Sequence, residues 1–178
     1  MELFMYDKCE EILISKESLQ KRVEELGNQI TEEYKGKELI VIGVLRGSFI
    51  FLADLVRAIK IPISLDFMIA KSYAGTETTG EVRILKDVDV KVSGTHVLIV
   101  VDIVDSGFTL SKLVGHFEGR NAASVKICTA LNKPSRRIVK DLKVDYVGFD
   151  VPDAFVVGYG LDFNDMMRNF PEIRIYKP

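Results

Sequence analysis

Two stretches of this 178-residue chain are apolar at almost every position: Glu38 to Leu45 (Glu-Leu-Ile-Val-Ile-Gly-Val-Leu) and His96 to Val101 (His-Val-Leu-Ile-Val-Val). A strand with one face in water alternates apolar and polar residues. A strand apolar throughout needs cover on both faces, as in the interior of a parallel sheet with helices on each side. Each run leads through a short polar turn into helical periodicity. Arg46-Gly47 precedes a pattern from Ser48 to Ala58, with Phe51, Leu52, Leu55 and Val56 on its apolar side. The segment Asp102 to Phe108 precedes another, from Thr109 to about Arg120. An earlier amphipathic helix is expected over residues 15–36, where Leu19, Val23, Leu26, Ile30 and Tyr34 recur at three- and four-residue steps, with Ser15 as cap and Gly36 as stop. Further strands are expected from Pro62 to Ala70, Ala123 to Leu131 and Asp145 to Phe149, with Glu81 to Leu85 at an edge and a loop-rich C-terminus. Strand, turn, helix and strand in alternation imply parallel βαβ units and a doubly wound α/β sheet. The length suits one domain, and ligands in such sheets bind beyond the C-terminal ends of the strands.

Charge narrows the partners. The chain holds 24 Lys plus Arg against 26 Asp plus Glu, a net charge of −2, which argues against bulk nucleic acid or an anionic membrane as the main partner. The balance is uneven: residues 41–140 have a basic excess of five, and both flanks are acidic. A basic middle fits a small anionic ligand, and scattered surface lysines fit it as well. Cys9 and Cys128 are too few and too far apart for a disulfide framework or zinc site. His96 and His116 have no partner at metal or triad spacing. There is no apolar run long enough for a signal peptide or a membrane span, so cytoplasm is the expected location.

The densest chemistry lies in Val97-Leu-Ile-Val-Val-Asp-Ile-Val-Asp-Ser-Gly-Phe-Thr-Leu110. A buried strand ends in two aspartates, then Ser106, Gly107 and Thr109 at a helix start. Unpaired N–H groups and the helix dipole make that start a site for a phosphate. Gly107 allows close backbone approach, and the two hydroxyls can donate to phosphate oxygens. Carboxylates there would repel a phosphate, so they suit the rest of the ligand: sugar hydroxyls, a divalent ion, or a proton to be taken. Helix capping by Asp105 and Ser106 is the plainer alternative.

This segment resembles the phosphoribosyl-pyrophosphate signature of the type I phosphoribosyltransferases, in the form found in their hypoxanthine-guanine branch. The resemblance extends along the chain in the family's order. Leu45-Arg46-Gly47-Ser48 is similar to the pyrophosphate loop, and Lys71-Ser72-Tyr73 through Gly80, returning along Glu81 to Asp87, to the mobile catalytic loop. Leu131-Asn-Lys133-Pro and Val147 through Asp162 are similar to the purine-recognition region.

The resemblance implies a type I phosphoribosyltransferase fold: a mostly parallel twisted central sheet flanked by helices. It implies one domain over 1–178, with a small hood from the N-terminal segment and the region after about 150. It also assigns roles. Asp105 is the general base near purine N7; Asp105, Ser106, Gly107, Phe108 and Thr109 surround the 5′-phosphate; Arg46, Gly47 and Arg168 meet pyrophosphate. Ile103, Lys133, Phe155, Val156 and Asp162 form the purine site. Lys133 would donate to the 6-oxo group, Phe155 would stack on the base and Val156 would offer its backbone; a core role suits Ile103 and Phe155 too, and a solvated loop cation is the other reading of Arg46. Ser72 and Tyr73 open the mobile loop, and Mg²⁺ lies with Asp162 and Asp102. A strained or cis bond is implied at Leu45-Arg46 or Arg46-Gly47. Asp102 is expected at the ribose, but Val101 stands where the family pattern has Glu, which removes an acceptor for a sugar hydroxyl and weakens binding of the donor.

The implied activity is purine salvage: phosphoribosyl transfer from 5-phospho-α-D-ribose 1-diphosphate (PRPP) to N9 of hypoxanthine or guanine, giving IMP or GMP and pyrophosphate, by a homodimer or homotetramer. The alternatives are a relative preferring xanthine or adenine, and a non-catalytic PRPP sensor on the same fold.

Overall fold

The all-apolar runs are indeed interior strands. The structure, a computed structural model, describes residues 9–73 and 81–177. Its main sheet has six strands: β2 (Leu39–Leu45), β3 (Ser64–Tyr73), β4 (Glu81–Lys86), β5 (His96–Val104), β6 (Ser124–Asn132) and β7 (Tyr146–Asp150). Their order is β4-β3-β2-β5-β6-β7; every pairing is parallel except β3 with β4. Helices α1 (Lys16–Glu33) and α2 (Phe49–Ala58) cover one face, and α3 (Phe108–Glu118) the other. Alternation along β5 assigns its side chains. Leu98 and Val100 join the core with Leu26, Ile30 and Leu55 of α1 and α2, whereas Val97, Ile99 and Val101 pack with Leu110, Leu113 and Phe117 of α3. Ser15 caps α1 by accepting the N–H of Ser18 at 3.2 Å, and Gly36 follows the helix with φ +73°.

Two expectations change. The strand from His96 does not stop at Val101 but runs to Val104, because β6 keeps pairing with it (Val101↔Thr129, Ile103↔Leu131, Val104↔Asn132) after β2 has ended its own pairing at Gly43↔Val100. Asp102 is therefore a strand residue beyond the reach of β2, not a loop residue. The C-terminus, expected as loop, contributes β8 (Val156–Val157) and β9 (Ile173–Tyr176), which join β1 (Cys9–Ile14) in an antiparallel sheet of order β1-β9-β8. Strands of two and four residues, completed by β1 from the opposite end of the chain, leave no period to read. Between β8 and β9, Tyr159, Asn164, Asp165 and Met167 all have positive φ, which erases any regular pattern there.

Candidate functional site

The site is assembled where β2, β5 and β6 end. Gly107, at φ +82°, turns the chain from β5 into α3; L side chains avoid this conformation. A Cβ there would also come within 2.8 Å of Leu142 Cδ2. No side chain caps α3: Ser106 Oγ accepts the Phe108 N–H at a long 3.4 Å, and Asp105 faces elsewhere. The capping alternative is thus set aside for Asp105, and the first N–H groups of α3 keep their polarity for a ligand. The loop is braced from outside: the carbonyl of Ser106 accepts the N–H groups of Ile138 and Val139, and that of Asp105 accepts from Arg137 Nε at 3.1 Å. Arg137 also reaches Asn132 Oδ1, a role with no signal in the sequence.

Two small concavities meet here. One, of about 210 Å³, is lined by Arg46, Gly47, Val101, Asp102, Ile103 and Thr109 among others; its neighbour, of about 260 Å³, by Ile103 and the run Asp105 to Gly107 with Thr109. Larger grooves of about 470 and 410 Å³ lie on the flanks, against α3 and β6 and against α1 and α2. They contain none of Asp102 to Thr109, and the chemistry of the strand ends outweighs their size. Ile103 is half-buried between the two smaller concavities.

The loop after β2 lies directly over Asp102. A Cβ on Gly47 would fall 1.6 Å from Asp102 Oδ2, so any other residue would push the Asp102 carboxylate aside. The Leu45-Arg46 peptide bond is cis. Burial pushes the Asp102 carboxyl above the usual carboxylate range, against the Ile103 N–H that donates to its Oδ1 at 2.9 Å and against nearby Arg168; the charge of Asp162 adds to the rise. The C-terminal turn closes this side. Arg168 Nη1 donates to Gly160 O at 2.8 Å, and Nη2 lies 2.7 Å from Asp162 Oδ1. Arg168 and Asp162 are thus close enough to Asp102 for their charges to act on it. Asp165, which no sequence pattern singles out, lies between Arg46 and Arg168.

The remaining residues gather on the β6 side. Lys133 is buried; its N–H donates to Val104 O beside the Asp105 loop, and its ammonium donates to Ala154 O at 2.7 Å. An ion-pair chain joins the two ends of this region: Asp105 Oδ1 to Arg136 Nε at 2.8 Å, Arg136 Nη1 to Asp153 Oδ1 at 3.2 Å, and Asp153 to Lys133 Nζ at 4.0 Å. Asp105 Oδ1 is shielded from water, and the Arg136 contact is an ion pair without hydrogen-bond alignment. Arg136 and Asp153 are the links that the motif alone did not reveal. Phe155 is 47% exposed, edge-on to Phe163 and Tyr176, so it is not a core residue. Val156 is buried in β8, where it pairs with Ile175.

Ser72 and Tyr73 are not loop residues. They end β3, opposite Val82 and Glu81 of β4, because the hairpin ladder extends that far. The rest of the expected mobile loop, residues 74–80, lies outside the described residues. Among the described residues no group of three or more His, Cys, Asp or Glu could hold a metal ion unaided. That is compatible with Mg²⁺, which in phosphate chemistry takes one or two carboxylates and fills its shell with water and substrate oxygens. No helix among these residues is long and apolar enough to cross a membrane.

Comparison with known proteins accords with this arrangement. Residues 10–164 match the model of the phosphoribosyl transferase domain. The chain is 51% identical over 175 residues to the hypoxanthine-guanine phosphoribosyltransferase of Bacillus subtilis, covering 98% of this chain and 97% of that protein. It is 50% identical to the hypoxanthine phosphoribosyltransferase of Salmonella typhimurium, over 92% of this chain and 93% of that one. A crystal structure of a Staphylococcus aureus hypoxanthine phosphoribosyltransferase superposes with a TM-score of 0.93 at 43% identity, covering 98% of this chain and 95% of that one.

Proposed function

The chain belongs to the phosphoribosyl transferase family, and from that premise we propose that it is a purine-salvage enzyme that transfers phosphoribosyl from PRPP to N9 of hypoxanthine or guanine. The observation that carries the choice of base is Lys133: a buried side chain just past β6 whose ammonium donates to the carbonyl of Ala154, the residue before the exposed Phe155, and lies 4.0 Å from Asp153 Oδ1. An ammonium donates and cannot accept, so it suits the 6-oxo group of hypoxanthine and guanine and opposes the 6-amino group of adenine.

In this reading the base stacks on Phe155 and lies against Ile103, with the Val156 backbone at its edge. The N-terminus of α3, with Ser106 to Thr109, cradles the 5′-phosphate. N9 forms its bond to C1′ of the ribose as the C1′–O bond to pyrophosphate breaks, and Asp105 accepts the proton leaving N7. Arg46, the Gly47 amide and Arg168 receive the pyrophosphate. Asp102 and Asp162 would hold Mg²⁺ together with substrate oxygens, and the ion, when bound, would neutralise charge on the leaving group. The β1-β9-β8 sheet, which carries Val156 and adjoins Phe155, serves as the hood. A homodimer or homotetramer working in the cytoplasm completes the proposal, and light scattering on the purified protein checks the assembly state.

A pyrophosphate-release assay with hypoxanthine, guanine, xanthine and adenine tests the function. Turnover with the first two and little with adenine is expected. Turnover led by xanthine or adenine would change the substrate, and none with any base would turn the reading to a PRPP sensor.

A further inference from the structure

Arg46 and Arg168 are 122 positions apart in the sequence, yet one oxygen atom holds both. Oδ1 of Asp165 lies 2.9 Å from Arg46 Nη2 and 3.1 Å from Arg168 Nη2. The same Arg168 nitrogen is 2.7 Å from Asp162 Oδ1, and Arg168 Nη1 is taken by Gly160 O. A guanidinium has donors only. An incoming anion can bridge this pair only by entering a place where an anionic oxygen already stands.

The two aspartates differ. Asp162 is the more enclosed, at 31% side-chain exposure, and its Oδ2 accepts the Asp165 N–H at 2.8 Å, so it is part of the turn's framework. Asp165, 63% exposed, follows Asn164 in a left-handed stretch (φ 52° and 63°) that aims its carboxylate between the arginines. Its pairs are solvated, and such pairs are individually weak. A multiply charged ligand can displace them.

We propose that Asp165 is an internal counter-anion: in the free protein its Oδ1 holds the place of a phosphate oxygen between Arg46 and Arg168, and it is displaced when pyrophosphate binds. The inference rests on the reading of these two arginines as the pyrophosphate contacts. Asp165 keeps two like charges apposed and competes with the product, so it limits how tightly pyrophosphate is retained. It is a residue that sets specificity and release, and it touches no reacting atom.

Calorimetric titration of the full chain with magnesium pyrophosphate tests this. Asp165→Asn keeps the size of the side chain, tolerates a positive φ, and leaves the N–H to Asp162 in place. Removing the competing charge should tighten pyrophosphate binding by about 3- to 10-fold, the equivalent of one or two exposed ion pairs. Pyrophosphate should become a correspondingly stronger product inhibitor, with the KM for hypoxanthine unchanged. Asp165→Gly, which also accepts the backbone conformation, should shift affinity in the same direction. Unchanged or weaker binding in both variants overturns the proposal and makes Asp165 idle or a brace for the arginines. Arg46→Gln and Arg168→Gln separate the premise: if neither weakens pyrophosphate binding, the reading of the arginines has failed, whatever the Asp165 variants do.

Discussion

Val101→Glu is the substitution with the most to say about this active site. Val101 is 5% exposed, packed with Leu110 and Leu113 of α3, and lines the 210 Å³ concavity that also holds Arg46, Gly47 and Asp102. Glutamate is longer than valine by two heavy atoms, which that space can take without displacing β5. In the free enzyme the new carboxylate gives up hydration beside apolar neighbours, a cost on the order of several kcal/mol for a charged group, partly offset by Arg46 in the same cavity. With PRPP bound it accepts from a sugar hydroxyl or supports hydrated Mg²⁺. A charge-assisted bond of that kind is worth about 1.5–3 kcal/mol, or roughly 10- to 150-fold in affinity. Initial rates against PRPP at saturating hypoxanthine should therefore show the KM for PRPP falling at least tenfold. Melting of the free variant should occur at lower temperature, with PRPP and Mg²⁺ together restoring more than they add to the parent protein. Val101→Gln, neutral and less costly to bury, should move the KM the same way by severalfold. A KM for PRPP that stays put in folded Val101→Glu and Val101→Gln proteins would refute the argument: the ribose would then not depend on this position.

Other outcomes follow from the same geometry. Asp102→Asn should stabilise the fold at neutral pH while weakening PRPP binding. Burial raises the Asp102 pKa above its ordinary value, so the native state binds the extra proton and stability falls as pH rises from the ordinary carboxylate pKa through the raised one; Asn removes that slope, and melts across this window check it. Lys133→Gln should raise the KM for hypoxanthine by about one to two powers of ten through loss of the charged donor to O6. The same variant should narrow the preference over adenine, as competition assays would reveal. Phe155→Ala should cost base binding about 1–3 kcal/mol through lost stacking. Its melting temperature should barely move, since the ring is half exposed; a large loss of stability would return Phe155 to the core.

The parts of the fold legible in the sequence were those governed by burial over many consecutive residues. Leu39–Leu45 and His96–Val101 read as interior strands, and the glycine turns after them marked the strand ends at which the site is proposed. What escaped reading depends on contacts between distant segments. Asp102 looked like a loop residue because an aspartate seldom sits inside a strand; only the outlasting of β2 by β6 explains why β5 continues past it. Arg136 and Asp153 take no role from any motif, and their meaning appears only when Asp105 and Lys133 prove to be the two ends of one ion-pair chain. This has a consequence for the chemistry. The group proposed to take the purine's N7 proton and the group proposed to hold its O6 are electrostatically joined before any base arrives. A base that neutralises Asp105 by proton transfer weakens the hold on Arg136, and Arg136 is then free to answer Asp153 alone. The same logic applies across the site at Asp165, whose carboxylate lies between Arg46 and Arg168. In both halves aspartates of this chain hold its arginines, so on the proposed reading binding exchanges one set of ion pairs for another and no bare charge has to be buried.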